Sequence, residues 1–213
     1  MKTDELIRVL STNVEPVDRR QVVREVAAAV VTGTAAAVGA VLVARGIRAD
    51  LNDVWALTFL LLKLIFAIGI VVLGSIYLIR LARPGGEANT TISWAAWPFV
   101  GITFLAAISL AFAPLWHWHN MAMGVSWLEC LLSIPVIAIV PFAVVVWTVR
   151  RMAPTDLTRT GALAGLVAGG MSATGYALHC TDDSLPFIAL WYGGTIALCT
   201  LAGAALGPRL LRW

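Results

Sequence analysis

The run GALAGLVAGGMSATGYALHC, residues 161–180, decides the fold of this chain. It is apolar, and it is long enough to cross a bilayer as a helix, which takes about 20 residues. Gly161, Gly165 and Gly169 recur at four-residue spacing, which is typical of a membrane helix that packs closely against another helix. The run therefore predicts a helix within a membrane bundle, and this helix brings Cys180 to its end.

The composition of the whole chain agrees with a membrane protein. Its 213 residues are 60% hydrophobic and 13% charged, whereas a soluble domain is about a quarter charged. The apolar runs lack the strict alternation of barrel strands, and backbone polar groups in lipid must be satisfied within their own segment. We therefore predict an all-α membrane protein, a bundle of six transmembrane helices. The predicted spans are about 25–44, 54–79, 92–114, 127–149, 161–179 and 187–207.

The basic residues predict the orientation of the bundle. Twelve of the 15 lysines and arginines lie in the two tails, residues 1–24 and 208–213, and in the second and fourth connections. The other three connections hold only Arg45 and Arg48. Because basic residues accumulate on the cytoplasmic side, we expect both termini in the cytoplasm. The net charge of +3 is then explained largely by these cytoplasmic basic residues. We therefore predict membrane lipid as a partner and no direct contact with nucleic acid.

The N-terminal tail, residues 1–24, predicts a short cytoplasmic helix. Thr3 can cap it, and Leu6, Ile7 and Leu10 fall on one face. So short a helix is marginal alone in water. Two interpretations stay open: an element that orders when it binds a partner, or a tail that lies on the bilayer or folds back on the bundle.

Lys63 lies inside the second predicted span. Its depth below Trp55 is roughly 13 Å, which is near the bilayer centre. An intramembrane lysine is costly and is a functional candidate by default, so we interpret Lys63 as a candidate for coupling within the membrane. The alternative is a packing cation bonded to helix carbonyls.

Two cysteines are predicted to share a depth on the outer side. Cys130 lies three residues into the fourth span, and Cys180 lies just past the outer end of the fifth. If the helices are neighbours, a disulfide requires their Cα atoms to be within about 7 Å, and an oxidising compartment would let it form. Cys199 is too deep to meet either and is interpreted as an apolar filler.

Imidazoles and carboxylates surround these thiols in the sequence. Such a set could hold a soft or borderline metal such as zinc or copper, although its spacing matches no recognised metal motif. The candidate ligands are Glu129, His117, His119 and His179. We predict no resident cofactor, but zinc, copper or another heavy metal could bind transiently. His179 could also make its neighbour Cys180 reactive.

Three interpretations of the cysteines stay open on the residues alone: a redox- or metal-responsive pair, a static disulfide, or two inert thiols. An enzyme is not predicted, because the chain has no Ser/His/Asp set, phosphate loop, CxxC pair or paired intramembrane carboxylates. A transporter would normally show polar residues along several spans.

Several segments resemble a known family, the six-span anti-sigma factors called negative regulators of sigma F. The resemblance covers nearly the whole chain. The segments that carry it are Met1–Ile7 with Pro16–Val17, Arg80–Gly85, Trp127–Pro135, Tyr176–Cys180, Trp191–Tyr192 and Gly207–Trp213. The two family cysteines match Cys130 and Cys180.

The resemblance implies an inner-membrane protein that sequesters an extracytoplasmic-function sigma factor. It also implies release of that factor on oxidative or heavy-metal stress, sensed by the two outer cysteines. We assign sigma binding to Leu6, Ile7 and Leu10 in the tail. The competing interpretations are a small membrane protein that handles thiols or transports metal, and a purely structural membrane subunit.

Overall fold

The computed structural model describes residues 3, 5, 8, 19–82 and 92–212. Within these residues the elements are helices joined by short turns, with no β-strand, which confirms the predicted all-α class. The helices are α1 (Arg19–Ala44), α2 (Val54–Leu81), α3 (Trp97–Phe112), α4 (Leu115–Met123), α5 (Trp127–Arg150), α6 (Leu157–Ala177) and α7 (Leu185–Leu210). A 3₁₀ turn, Ile92–Ala96, leads into α3.

The predicted spans correspond to six of these helices, and α4 is an additional short helix within a predicted connection. In the N-terminal tail, Thr3, Glu5 and Arg8 have helical backbone. The predicted sigma contacts Leu6, Ile7 and Leu10 lie outside the described residues.

Five segments of the described chain are long and apolar enough to cross a membrane, and α6 is not among them. The five are α1, α2, α3 with its 3₁₀ turn, α5 together with α4, and α7. Helix α6 differs because it occupies the centre of the bundle, where all but one of the residues from Thr160 to Ala177 are buried. Small side chains suffice there, because α6 contacts other helices rather than lipid.

The glycines of α6 form the seam predicted from their spacing, and they pack against α7. A Cβ atom on Gly165 would collide with the carbonyl oxygen of Cys199. A Cβ atom on Gly161 would likewise collide with the carbonyl oxygen of Gly203. The backbones of the two helices therefore touch, as in the small-residue interfaces of membrane helices.

Two further glycines of α6 face α2 and α1. A Cβ atom on Gly170 would lie 2.8 Å from a methyl group of Val71 on α2. One on Gly175 would lie 3.0 Å from the carbonyl group of Ala37 on α1. Close approach on several sides explains why α6 carries glycine where the outer helices carry larger apolar residues.

The cysteine end of the bundle is formed by residues 45–53, by α4 and by residues 178–184; the opposite end holds the connection 151–156. At the cysteine end, Asp53 caps α2 by accepting from the Trp55 amide, and Ser184 caps α7 by accepting from the Phe187 amide. Both are standard N-cap bonds. These caps fix where the helices that flank the cysteines begin.

We expect Gly165→Ala to destabilise the bundle by about 1–3 kcal/mol, the usual cost of overpacking a tight core. The new methyl group would have to displace the backbone of α7 at Cys199. The measurement is thermal unfolding of the purified protein in detergent. Gly39→Ala on α1 is the matched control, because nothing lies within 4 Å of its Cβ position. Equal melting temperatures for the two variants would contradict this account of the seam.

Candidate functional site

Cys130 and Cys180 lie in the core at the cysteine end. Cys130 is in the first turn of α5, and Cys180 directly follows the last turn of α6. Their exposed fractions are 0% and 2%, and both are free thiols. Both cysteines belong to the same buried cluster of the core. The structure thus brings together the two residues that the sequence placed at one depth.

The surroundings of Cys180 favour the neutral thiol. Burial raises the pKa of this thiol, and the nearby Lys63 ammonium acts in the opposite direction. The thiolate is the reactive form. Its formation at Cys180 therefore requires positive charges or hydrogen-bond donors beside the sulfur.

Two buried cations meet beside the carbonyl of Cys180. The Nζ atom of Lys63 donates to this carbonyl oxygen at 3.0 Å and to Oδ1 of Asp183 at 2.9 Å. Nη1 of Arg48 donates to the same carbonyl at 3.1 Å. The guanidinium also forms two bonds with the Asp183 carboxylate, at 3.1 and 2.5 Å, and two with the Asp50 carboxylate, at 2.6 and 2.8 Å.

We call Arg48, Asp50, Lys63 and Asp183 the ionic cluster. Both cationic side chains are 0% exposed, whereas that of Asp50 is 43% exposed. Two carboxylates balance two cations, as burial of charge requires. Hydrogen bonding to Arg48 lowers the pKa of Asp50 to about 2, so this carboxylate remains charged at any physiological pH. Because both cations bind its carbonyl, the cluster fixes the position of Cys180.

The loop that follows Cys180 is also bonded to the start of the helix that carries Cys130. The Asp182 carboxylate accepts from the amides of Val125 and Ser126 at 3.0 and 2.7 Å. Ser126 is the residue that precedes α5. The Ser184 hydroxyl donates to the Met121 carbonyl on α4 at 2.6 Å. The two cysteine segments are therefore held by one set of polar contacts.

Gly124 allows this close approach between the loop and α5. Its φ of 59° is in the left-handed region that glycine favours. A Cβ atom there would meet the Phe187 ring at 2.7 Å and the Asp182 carboxyl carbon at 2.9 Å. A side chain at this position would push the loop away from the start of α5.

The predicted metal ligands are not gathered in one place. Glu129 forms an exposed ion pair with Arg45 at 3.0 Å, and His117 and His119 are exposed on α4. His179 is half-buried, with its ring centroid 6.1 Å from that of Tyr176. Among the described residues no three His, Cys, Asp or Glu side chains are grouped to hold a metal ion. Transient metal binding therefore stays a prediction.

The sequence indicated Lys63 but not its partners. We expected Lys63 near the bilayer centre, yet its ammonium reaches the loop at the cysteine end. In the sequence, Arg48 was assigned only to a connection between spans. No spacing rule relates it to Asp183, which lies 135 positions further along the chain. The need of a buried lysine for a carboxylate was the signal that could have indicated Asp183.

We expect Asp183→Asn to destabilise the protein by about 3–5 kcal/mol, because it leaves Lys63 without a carboxylate and Arg48 with one. The free energy or temperature of unfolding in detergent measures this. Glu129→Gln is the matched control, since it breaks an ion pair at the same end whose side chains are 41% and 54% exposed. Such exposed pairs contribute about 0–1 kcal/mol. A loss for Asp183→Asn no larger than the control's would show that the ionic cluster is not needed for stability.

Comparison with known proteins adds a likeness over the full length of the chain. The family model described as "Negative regulator of sigma F" matches residues 10–213. The probable anti-sigma-F factor NrsF of Azospira oryzae is 31% identical over 214 residues, and the anti-sigma-F factor NrsF of Caulobacter vibrioides is 32% identical over 223 residues. Both alignments cover 100% of each chain. No solved structure matches.

Proposed function

Because this chain belongs to the family of negative regulators of sigma F, we propose that it is an anti-sigma factor of the bacterial inner membrane. In this proposal it holds an extracytoplasmic-function sigma factor inactive at the membrane. Oxidative or heavy-metal stress acts on Cys130 and Cys180 and releases the factor. The family is regulatory and not enzymatic.

The pair of free, buried cysteines is the observation that carries the sensing part of the proposal. An oxidant can join two thiols whose Cα atoms lie within about 7 Å. Here both thiols are free, and their segments are bonded to one another through Asp182. Both cysteines are free in this structure, and we assign this reduced state to the resting protein. The site faces the periplasm if the basic residues set the orientation as predicted.

Helix α5 offers a route from the thiols to the opposite end. It runs without interruption from Trp127 to Arg150, through Pro135 and Pro141. Its 24 residues make it about 36 Å long. Drawing Cys130 towards Cys180 would tilt α5 against the glycine-rich α6 and move its far end. We propose that this movement abolishes the sigma-binding site on the cytoplasmic side.

Formation of a covalent bond can supply the free energy that release of the sigma factor requires. Moving a complex from 99% bound to 99% released takes about 5.5 kcal/mol of differential stability. A new sulfur–sulfur bond that fits only one packing of α5 and α6 can supply a difference of this size. We assign the sigma contacts to Leu6, Ile7 and Leu10 in the N-terminal tail, which precedes α1 in the chain.

Replacing both sensing thiols tests the trigger. In a Cys130→Ser, Cys180→Ser variant we expect the sigma factor to stay bound and the target genes to stay silent under peroxide or cadmium. Transcript levels before and after stress measure this. Cys199→Ser is the matched control and should respond like wild type, because Cys199 lies against the α6 seam, away from the pair. Normal induction in the double variant would place the trigger elsewhere.

Deleting residues 1–14 tests the binding element. We expect the deletion to release the sigma factor constitutively, so that target genes are on without stress. Purification of the detergent-solubilised protein, with and without oxidant, should recover the sigma factor only with the intact, reduced chain. If the truncated chain still retains the factor, the contacts lie on the bundle itself. A protein that handles thiols or transports metal would instead keep its activity after the deletion.

A further inference from the structure

Two tyrosine hydroxyls in the core cluster that holds the cysteine pair have no hydrogen-bond partner among the described residues. Tyr176 and Tyr192 are 1% and 0% exposed. Within the described residues neither phenolic oxygen accepts or donates a hydrogen bond. Buried polar groups are nearly always paired, because an unsatisfied one loses its hydration without compensation. Two such hydroxyls in one place therefore call for an explanation.

The two phenols share one enclosure with the thiols. Tyr176 precedes Cys180 by one helical turn, and the Cys180 amide donates to the Tyr176 carbonyl at 3.1 Å. The rings of Tyr176 and Tyr192 have centroids 6.1 Å apart. Both tyrosines and both cysteines belong to one buried cluster of the core. The Tyr192 hydroxyl also approaches the Cys180 thiol, but without the geometry of a hydrogen bond.

The backbone that carries Tyr192 is unusual. Residues Ile188–Tyr192 form a π-helical segment inside α7. Such segments are rare and occur frequently at functional sites. This one ends at the tyrosine that faces the thiols, so a local departure from α-helix sets the register of that side chain.

We propose that the hydroxyls of Tyr176 and Tyr192 are hydrogen-bond donors for the anionic sulfur that forms when the cysteine pair reacts with a hydroperoxide. This rests on the proposed function and deepens it. A neutral thiol is a weak acceptor, so both hydroxyls stay without a partner in the reduced protein. A thiolate is a strong one, and hydrogen bonds to charged groups are shorter and stronger. Donors already in place stabilise the charge without reorganisation.

The chemistry that these donors assist is a two-electron oxidation. The Cys180 thiolate attacks one peroxide oxygen, the O–O bond breaks, and the leaving hydroxide takes up a proton to give water. The sulfenic acid formed on Cys180 is then attacked by the sulfur of Cys130. The S–O bond breaks, the S–S bond forms, and a second water leaves. Two thiols lose two electrons and two protons, and hydrogen peroxide becomes two waters.

The other charges near Cys180 bear on the same step. The Lys63 ammonium and the backbone amide of Asp182 favour a negative charge on this sulfur, whereas the Asp182 carboxylate disfavours it. Lys63 is already bonded to Asp183 and to the Cys180 carbonyl. Among the described residues, the two phenolic hydroxyls are buried donors that would break no other hydrogen bond.

Tyrosine-to-phenylalanine variants test the proposal, because each removes only the hydroxyl. They are made in a Cys199→Ala background, so that the pair contains the only thiols in the chain. The full chain in detergent is treated with hydrogen peroxide, and disulfide formation is followed by loss of maleimide labelling. We expect Tyr176→Phe and Tyr192→Phe each to slow the reaction about tenfold, the size of one hydrogen bond to a charged group. Their melting temperatures should be unchanged or higher, because an unsatisfied hydroxyl is removed from the core.

Tyr77→Phe is the matched control, since Tyr77 is also buried but stacks with Arg80, 5.7 Å from its ring, away from the thiols. It should oxidise at the wild-type rate. Rates within twofold of wild type for both test variants would overturn the proposal. Slower oxidation together with a lower melting temperature would overturn it too, since that pattern indicates a structural role. A failure confined to the tyrosines leaves the sensing pair intact, whereas normal stress induction in the Cys130→Ser, Cys180→Ser chain is a failure of the proposed function.

Discussion

The cysteine end of this protein depends on the burial of two positive charges. Lys63 and Arg48 have no exposed side-chain surface, and a cation in that position must be paired with an anion. Asp183 is the carboxylate that both share, and the carbonyl of Cys180 is the oxygen that both bind. The position of one thiol-bearing segment is thus a consequence of charge neutralisation, and it does not depend on side-chain packing alone.

The rest of the bundle is arranged around α6. Its glycines admit the backbone of α7 on one side and leave room for α2 and α1 on others. The larger apolar residues lie on the outer helices, whose exposed faces suit lipid. The backbone contact between α6 and α7 leaves little room for movement between those two helices. In the proposed mechanism, a shift of α5 at the thiols is carried along that helix to its far end.

Much of this architecture could be predicted from the sequence, because it follows from local pattern. Apolar runs and short polar turns predicted six helices within a few residues of where they lie, and the spacing of Gly161 and Gly165 predicted the seam. The ionic cluster could not be predicted, because Arg48 and Asp183 are distant in the chain and meet only through the packing of α6. The burial of the two tyrosine hydroxyls without partners could not be predicted either, for a related reason. A tyrosine in an apolar run indicates a membrane helix, and nothing in the run says that its hydroxyl will lack a partner.

The composition of α6 also has a consequence for how the chain is built. Helix α6 is less apolar than the other long helices and is buried almost throughout, so its place in the membrane depends on contacts with protein. Helices α1, α2 and α5 emerge from the ribosome first, so they are available to shelter α6 as it leaves the translocon. The groove for the glycines of α6 is completed only when α7 follows. Helix α7 therefore completes the packing around α6. Because α7 carries Tyr192, the surroundings of the cysteine pair are complete only when this last helix is in place.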